Sequence, residues 1–264
     1  MSVRDPKAAV ARGAALITGA RRGIGRAIAL ELAGLGFDLA LADIGPSDDL
    51  SETAELARDA GARVLQQTLD VSAIDSHDAA LRAIEHDIGH LTCLVNNAGV
   101  SVMSRGDLLD ASPESFDRCI EVNLRGTFFL TQAFARVLIS RPRGDAYRSI
   151  VTITSSNVRA VSIARGEYCV SKAGLAMASL LFAVRLANEG IDVFEVQPGI
   201  IATEMTAPSK GKYDTAIADG LTAASRWGAP EDVARVVGAM ASGALPYTVG
   251  HAVPVDGGLL IPRF

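Results

Sequence analysis

Short apolar runs alternate with helical patterns along the chain, and this alternation constrains the fold more than any other feature. The predicted strands are residues 14–18, 38–42, 63–69, 91–95, 149–154, 191–197 and 250–255. The predicted helices are residues 23–35, 50–60, 75–88, 113–139, 166–189 and 230–241. This order is typical of βαβ units around a parallel sheet. Because such crossovers are right-handed, we predict a doubly wound α/β fold with three α/β/α layers.

Three of the predicted strands, the first, fourth and fifth, lack polar alternation and should be central strands buried on both faces. The chain has 264 residues, which is near the size at which one core stops growing. We therefore predict a single domain over residues 1–264. Residues 203–227 interrupt the alternation of strands and helices, and we predict that they form a mobile flap over the substrate site. An ordinary surface insertion is the alternative.

Charge and composition narrow the possible partners. The formal net charge of −5 gives no reason to expect nucleic acid. We find no apolar run of about 18 residues, so no membrane span is predicted. The first residues contain Asp5 and Pro6 beside only a brief apolar stretch, which does not fit a secretory signal.

The cysteines and histidines indicate neither a disulfide framework nor a metal site. Three cysteines are odd in number and far apart, as expected of reduced thiols in a cytoplasmic protein. They are Cys93, Cys119 and Cys169. His86 and His90 flank Gly89, and a solvated helix end explains them better than metal ligation. No metal is predicted.

A glycine-rich turn lies between the first strand and the first helix. Residues 18–25 read Thr-Gly-Ala-Arg-Arg-Gly-Ile-Gly. Glycines there allow close approach of the backbone to a pyrophosphate, and the helix N-terminus offers free N–H groups. Asp43 ends the second strand, 18 residues after Gly25, where a carboxylate can accept ribose hydroxyls. A solvated turn aspartate is the alternative for Asp43. Asp70 either caps the next turn or faces the adenine.

Tyr168 and Lys172 are four residues apart, so on a helix they share one face. A free tyrosine has a pKa of about 10 and is a poor acid–base group at neutral pH. A nearby ammonium should lower the pKa of Tyr168 toward the working pH of a general acid–base group. The pair alone is common by chance, but Ser155 and Asn123 upstream strengthen it.

These motifs occur together in an order that resembles the short-chain dehydrogenase/reductase family, in its compact single-domain Rossmann-type form. The elements are the glycine turn 18–25, Asn96-Asn97-Ala98-Gly99, Asn123, Ser155, Tyr168-Cys169-Val170-Ser171-Lys172 and Pro198-Gly199-Ile200-Ile201-Ala202-Thr203. Within that family the chain looks most like the 3-oxoacyl-[acyl-carrier-protein] reductase group. The resemblance implies an NAD(P)-dependent oxidoreductase that moves a hydride between nicotinamide and a carbonyl or secondary alcohol carbon.

The resemblance also implies the catalytic roles. Tyr168 would exchange a proton with the substrate oxygen, and Ser155, 13 residues earlier, would stabilise that oxygen. Lys172 would also bind the nicotinamide ribose. Asn123 would anchor a water that links Lys172 to solvent, with a helix kink or a packing role as its alternative.

The implied cofactor site is larger. Pro198, Ile200 and Thr203 would line the nicotinamide. The full set of cofactor-binding residues is Gly19, Arg21, Arg22, Gly23, Ile24, Gly25, Asp43, Asp70, Val71, Asn97, Ala98, Gly99, Tyr168, Lys172, Pro198, Gly199, Ile201 and Thr203. Arg22 could pair with the 2′-phosphate of NADP(H), but we expect it to swing toward Asp43, so that NAD(H) is preferred and NADP(H) remains possible.

The sequence constrains the identity of the substrate less than it constrains the family. A 3-oxoacyl thioester on a carrier is one possibility, and a sugar, polyol or other small secondary alcohol is the alternative. Carrier docking would need basic residues, for which Arg141, Arg143 and Arg148 are candidates, whereas Glu189 is unfavourable. A catalytically inactive nucleotide-binding regulator is disfavoured by the complete catalytic set, and an extended epimerase by the chain length. We expect a homotetramer that pairs through helices 113–139 and 166–189 and residues 253–264.

Overall fold

The computed structural model describes residues 13–263, arranged around one seven-stranded sheet. All neighbouring strands pair in parallel, in the order β3-β2-β1-β4-β5-β6-β7. The strands are β1 (Ala14–Thr18), β2 (Asp38–Asp43), β3 (Val64–Thr68), β4 (Leu91–Asn96), β5 (Ser149–Ile153), β6 (Asp192–Pro198) and β7 (Ala252–Val255). The sequence assigned to a non-secretory N-terminus, residues 1–12, lies outside the described residues, as does residue 264.

Helices cover both faces of the sheet, which confirms the predicted three-layer fold. The helices are α1 (Gly23–Gly34), α2 (Asp48–Asp59), α3 (His77–Ile88), α4 (Pro113–Cys119), α5 (Thr127–Ile139), α6 (Gly166–Leu186), α7 (Lys210–Ala218) and α8 (Pro230–Ala241). One apolar core lies between the sheet and α1, α2 and α8. A second core lies between the sheet and α3, α5 and α6. Strands β1, β4 and β5 are buried along their whole length, as predicted for central strands.

The strand order reverses beside β1, whose neighbours are β2 and β4. In open α/β sheets, ligands bind in the crevice outside the carboxyl ends of the strands at such a reversal. Gly19 follows β1, Asp43 ends β2, Asn97 follows β4 and Ser155 follows β5. The fold therefore brings the predicted site residues to one edge of the sheet.

The predicted single helix over residues 113–139 is wrong in one respect. Its middle, Ile120–Gly126, is a π-helical turn between α4 and α5. Apolar spacing cannot reveal this because the helix continues on both sides of the wider turn. β7 also begins two residues later than predicted, since Gly250 has φ +75° and takes the chain out of the extended conformation.

Residues 203–227 form an insertion that contains α7. Backbone contacts join the two chain segments that flank this insertion. Ile201 forms a parallel bridge with Gly228, and Ala202 N donates to Gly228 O at 2.9 Å. Tyr213 and Trp227 pack edge to face within it, with ring centroids 5.8 Å apart. Mobility of this segment as a flap stays a prediction.

The helical stretch Ile163–Glu189, which includes α6, is long and apolar enough to cross a membrane by length and composition. The sequence prediction concerned an uninterrupted apolar run, and Lys172 and Arg185 interrupt this one. In the fold this helix packs on the sheet and buries Tyr168 and Lys172 on its inner face, as a core helix does. The three cysteines are free thiols.

Candidate active site

The glycine turn after β1 is fixed by backbone geometry. Gly19 has φ +64°, and a Cβ on Gly25 would lie 2.1 Å from the Gly19 carbonyl oxygen. Asn97 Nδ2 donates to Thr18 O at 3.0 Å and to Gly19 O at 2.9 Å. Thr18 Oγ1 in turn accepts from the N–H groups of Asn97 and Ala98 at 3.1 and 3.0 Å. Asn97 and Ala98 therefore hold the turn in place.

The start of α1 fits an anionic ligand. Its N-cap residue, Arg22, makes no side-chain capping bond, and the first turn contains no acidic residue. The first N–H groups of such a helix lack partners within the helix and point outward with the positive end of the dipole. Together with the close approach that Gly19 and Gly25 permit, this is the geometry that a pyrophosphate needs.

Asp43 is 8% exposed at the end of β2. Its Oδ1 accepts from Ile44 N at 2.9 Å, and its Oδ2 lies 3.8 Å from Arg21 Nε. The expected pairing of Arg22 with Asp43 is therefore wrong, because Arg21 takes that position. Arg22 instead forms an ion pair with Glu204 in the insertion, and its Nη1 also lies 3.9 Å from Asp49 Oδ2.

Of the two alternatives for Asp70, the structure shows the capping contact. Asp70 Oδ1 accepts from the Ser72 N–H at 2.9 Å and from the Ser72 hydroxyl at 2.6 Å. Val71 is buried, and its carbonyl oxygen lies 3.0 Å from His77 Nε2. Contact of either residue with an adenine stays a prediction.

Tyr168, Lys172 and Ser155 converge beyond the carboxyl end of β5. Tyr168 and Lys172 lie one turn apart on the inner face of α6, and Ser155 follows β5. Lys172 Nζ donates to Ile153 O at 3.0 Å and lies 5.9 Å from the centroid of the Tyr168 ring. Tyr168 also shares a hydrogen bond with the Ser155 hydroxyl. The arrangement brings two hydroxyl groups together, with one ammonium beside the tyrosine ring.

Burial dominates the protonation of this group. It raises the pKa of Tyr168, against the opposing effects of the Ser155 hydrogen bond and the Arg165 charge. Burial also lowers the pKa of Lys172 to about 8, although the Cys119 thiol and Glu195 favour its charged form. The expected net lowering of the Tyr168 pKa is therefore wrong for these side chains alone. At neutral pH they present a protonated phenol beside a charged ammonium.

Asn123 is fully buried within the π-helical turn. Its Oδ1 accepts from Val100 N at 2.7 Å, and its Nδ2 donates to Val100 O and Ser171 Oγ, each at 3.0 Å. A Cβ on Gly99 would lie 3.1 Å from Asn123 Oδ1 and 3.4 Å from Lys172 Nζ. Asn123 thus ties the loop after β4 to α6, as its packing alternative proposes, while its link to a water stays a prediction.

The segment after β6 contacts β7 and also lies against the glycine turn. Gly199 N donates to Val255 O at 3.0 Å, and a Cβ on Gly23 would lie 3.5 Å from Thr203 Cγ2. Ile201 is fixed by its bridge to Gly228. Pro198 ends β6 beside these residues. Thr203 thus lies against the glycine turn, beyond the carboxyl end of β6.

Sequence reasoning missed two residues beside the catalytic group. The Arg165 guanidinium lies 5.1 Å from the Tyr168 ring centroid, and its Nη2 donates to Asn157 Oδ1 at 2.6 Å. The Asn157 N–H donates to Ser155 Oγ at 3.1 Å. Arg165 is the N-cap of α6 with φ −151°, so it lies outside the helix and no helical spacing in the sequence points to it.

No metal cluster competes with this interpretation in the described part of the chain. Residues 13–263 contain no group of three His, Cys, Asp or Glu side chains that could hold an ion. The predicted helix-end histidine, His86, is exposed and contacts Asp87 at 2.8 Å.

The fold combines a doubly wound sheet, a glycine cradle, a buried carboxylate at the end of β2 and a buried Tyr–Lys–Ser group, as in nicotinamide-dependent oxidoreductases. Residues 19–260 match the family model described as enoyl-(acyl carrier protein) reductase. The chain belongs to the short-chain dehydrogenase/reductase family.

Known members of the family extend the similarity over nearly the whole chain. The 2-dehydro-3-deoxy-D-gluconate 5-dehydrogenase of Escherichia coli K12 is 32% identical over 93% of this chain and 94% of its own. A 3-oxoacyl-[acyl-carrier protein] reductase of Brucella melitensis, solved in complex with NAD, is 42% identical with a TM-score of 0.92, covering 96% and 99% of the two chains. A provisional 2-deoxy-D-gluconate 3-dehydrogenase of Agrobacterium tumefaciens, solved with NADP, is 31% identical with a TM-score of 0.86, covering 98% and 100%.

Proposed function

We propose that the chain interconverts a small secondary alcohol and its ketone, with Tyr168 as the acid–base group. The observation that carries this proposal is the convergence of Tyr168, Ser155 and Lys172 at the carboxyl edge of the sheet. When bound, the nicotinamide supplies or accepts the hydride. The chain's own residues hold the substrate oxygen and move its proton.

In the direction of reduction, the hydroxyls of Ser155 and Tyr168 hold the carbonyl oxygen. Tyr168 gives its proton to that oxygen as negative charge develops there. The ammonium of Lys172 then stabilises the phenolate that remains. Asn123 keeps the loop after β4 against α6 and anchors a water for the return of the proton. In the direction of oxidation, the same proton moves from the alcohol to Tyr168.

We propose NAD(H) as the preferred cofactor, with NADP(H) possible. A buried carboxylate at Asp43 repels a 2′-phosphate, and Arg21 and Arg22 are both engaged by carboxylates. The Brucella relative contains NAD and the Agrobacterium relative NADP. The family membership is therefore compatible with either cofactor, and the preference depends on these side chains.

The positions of the candidate docking arginines favour a free small-molecule substrate over a carrier-bound thioester. Arg141 pairs with Glu85 at 2.9 Å, and Arg148 donates to Leu138 O at 2.9 Å. Both residues precede β5, whereas Ser155 follows it, so the length of the strand separates them from the reaction. Glu189, at the far end of the catalytic helix, is likewise remote. A 3-oxoacyl thioester is the second candidate, because the Brucella relative is named as a reductase of that class.

We also propose a cytoplasmic homotetramer. The outer face of α6 leaves five large apolar side chains exposed, namely Val170, Met177, Leu180, Leu181 and Val184. Soluble proteins seldom leave such a contiguous face to water, and closed symmetric pairing would cover it. Light scattering at micromolar concentration should give four times the chain mass, and a monomeric mass would refute the assembly.

A screen of the purified protein with NADH and NADPH tests the proposed reaction. Small ketones, keto sugars and 3-oxoacyl thioesters are supplied in turn, and absorbance of the reduced nicotinamide is followed. We expect oxidation of NADH with small ketones above thioesters. No oxidation of either cofactor with any carbonyl would refute the proposal.

A further inference from the structure

Arg165 differs from the arginines around it. It is only partly exposed, at the N-cap of α6, and its guanidinium lies over the Tyr168 ring. Within residues 13–263, no carboxylate lies within ion-pair distance of it. Partly buried guanidinium groups are usually paired, so this charge is a candidate for a ligand.

The neighbours of Arg165 fix its position without neutralising it. Its bond to Asn157 Oδ1, at 2.6 Å, uses one of five donors. The nearest acid along the chain is Glu167, whose Oε1 accepts from the buried Ser115 hydroxyl at 2.7 Å. The α6 N-terminus has no side-chain cap, so its dipole adds positive potential at the same place.

The same contacts connect Arg165 with the reacting centre. Asn157 bonds Arg165 through its side chain and Ser155 through its backbone N–H. The guanidinium lies 5.1 Å from the centroid of the ring that carries the catalytic hydroxyl. A group bound by Arg165 would therefore be only a few carbon atoms from a carbonyl held by Ser155 and Tyr168.

We propose that Arg165 binds the carboxylate of the substrate and that the substrate class is a short oxo acid or hydroxy acid. A planar guanidinium matches a carboxylate with two parallel hydrogen bonds, which fixes orientation as well as affinity. This inference rests on the proposed oxidoreductase function and narrows it. A carrier-bound thioester offers no carboxylate at that position.

The test compares oxo acids with their own methyl esters. The probes are 3-oxobutanoate, 4-oxopentanoate and 5-oxohexanoate, which vary the distance between the carbonyl and the carboxylate. We expect the wild type to favour at least one acid over its ester by about tenfold or more in kcat/KM. In Arg165→Met the KM for that acid should rise about 10- to 100-fold, as for loss of a charge-assisted pair, with little change for the ester.

The ratio of acid to ester is the informative quantity, because Arg165 also lowers the pKa of Tyr168. Loss of that effect alone would shift the pH profile for the acid and the ester equally. Arg165→Lys should recover part of the preference. Arg159→Met removes the same charge from an exposed position on the same loop and should keep the wild-type ratio.

Calorimetric titration of the preferred oxo acid into the protein with NAD⁺ gives a second readout, together with near-ultraviolet circular dichroism to verify the fold. Wild type that reduces esters and acids equally, or an Arg165→Met variant that keeps the acid preference, would overturn the inference and leave the proposed function intact. Failure of every acid and ester while a keto sugar or another ketone is reduced would also overturn the inference, whereas failure of every carbonyl tested would contradict the proposed function.

Discussion

The glycine turn 18–25 and the insertion 203–227 lie side by side but are held in different ways. Partly buried hydrogen bonds that involve backbone atoms fix the turn, from Asn97 Nδ2 to Gly19 O and from Ala98 N to Thr18 Oγ1. The insertion is held largely by side chains at the surface, such as Arg105 to Ser209 at 2.5 Å. Backbone contacts tolerate little change, whereas surface pairs can be exchanged at low cost. We therefore expect the turn to tolerate fewer substitutions than the insertion.

Tyr168→Phe should reduce turnover more than any other change considered below, because it removes the proposed proton donor. We expect turnover to fall by about 10²- to 10⁴-fold, the usual value of a general acid–base group. The Phe ring keeps the packing, so NADH should still bind in a fluorescence titration. Near-full activity would show that the buried group is not the reacting one. Tyr247→Phe, at an exposed position, is the matched control.

Lys172→Met should stabilise the cofactor-free protein at pH 7. Burial lowers the pKa of Lys172 to about 8, from about 10.4 unfolded, so keeping it charged costs stability below pH 8. Above pH 8 the folded state loses the proton first, and wild type gains stability until the unfolded lysine also titrates. The free energy of unfolding of the wild type relative to the variant should thus rise by about 3 kcal/mol between pH 8 and 10. Thermal unfolding across this range measures it, and a pH-independent difference would contradict it.

Asp43→Ala tests the cofactor preference that we assign to the carboxylate at the end of β2. Loss of the carboxylate removes the repulsion of a 2′-phosphate and releases Arg21, its partner at 3.8 Å. We expect the ratio of kcat/KM for NADPH to that for NADH to rise about tenfold or more, which corresponds to about 1.4 kcal/mol. Asp49→Asn, at an exposed acid near Arg22, should change the ratio much less. Wild type that already favours NADPH would refute the preference.

Glu204→Gln should have the smallest effect, because it breaks an ion pair between two exposed side chains. Arg22 and Glu204 connect the turn to the insertion, and such pairs are worth about 0–1 kcal/mol. The KM for cofactor should change less than about fivefold, and raising the salt concentration should reduce the difference further. An effect as large as that of Asp43→Ala would show that the insertion is as tightly coupled to the turn as the buried contacts are.

The sequence predicts the sheet and the catalytic residues because both depend on local patterns. Branched apolar runs locate the strands, and the spacing of Tyr168 and Lys172 places them on one helix face. The sequence does not predict which arginine pairs with Asp43, because Arg21 and Arg22 are adjacent and only the path of the turn separates them. The sequence also does not predict the direction of the Tyr168 pKa shift, because that direction depends on how deeply the fold buries the ring.

The π-helical turn at Ile120–Gly126 has a consequence for the length of the chain. Each such turn contains one residue more than an α-helical turn, so it takes up one extra residue between α4 and α5. Removing any one residue there would let the helix close into regular α geometry, which keeps α4 and α5 on their present faces but changes the direction in which side chains within the turn project. Asn123 could then no longer reach Val100 and Ser171 together, even though every catalytic side chain was retained. The number of residues in this stretch is therefore constrained as strictly as their identity. We expect single-residue deletions here to be tolerated far less than substitutions.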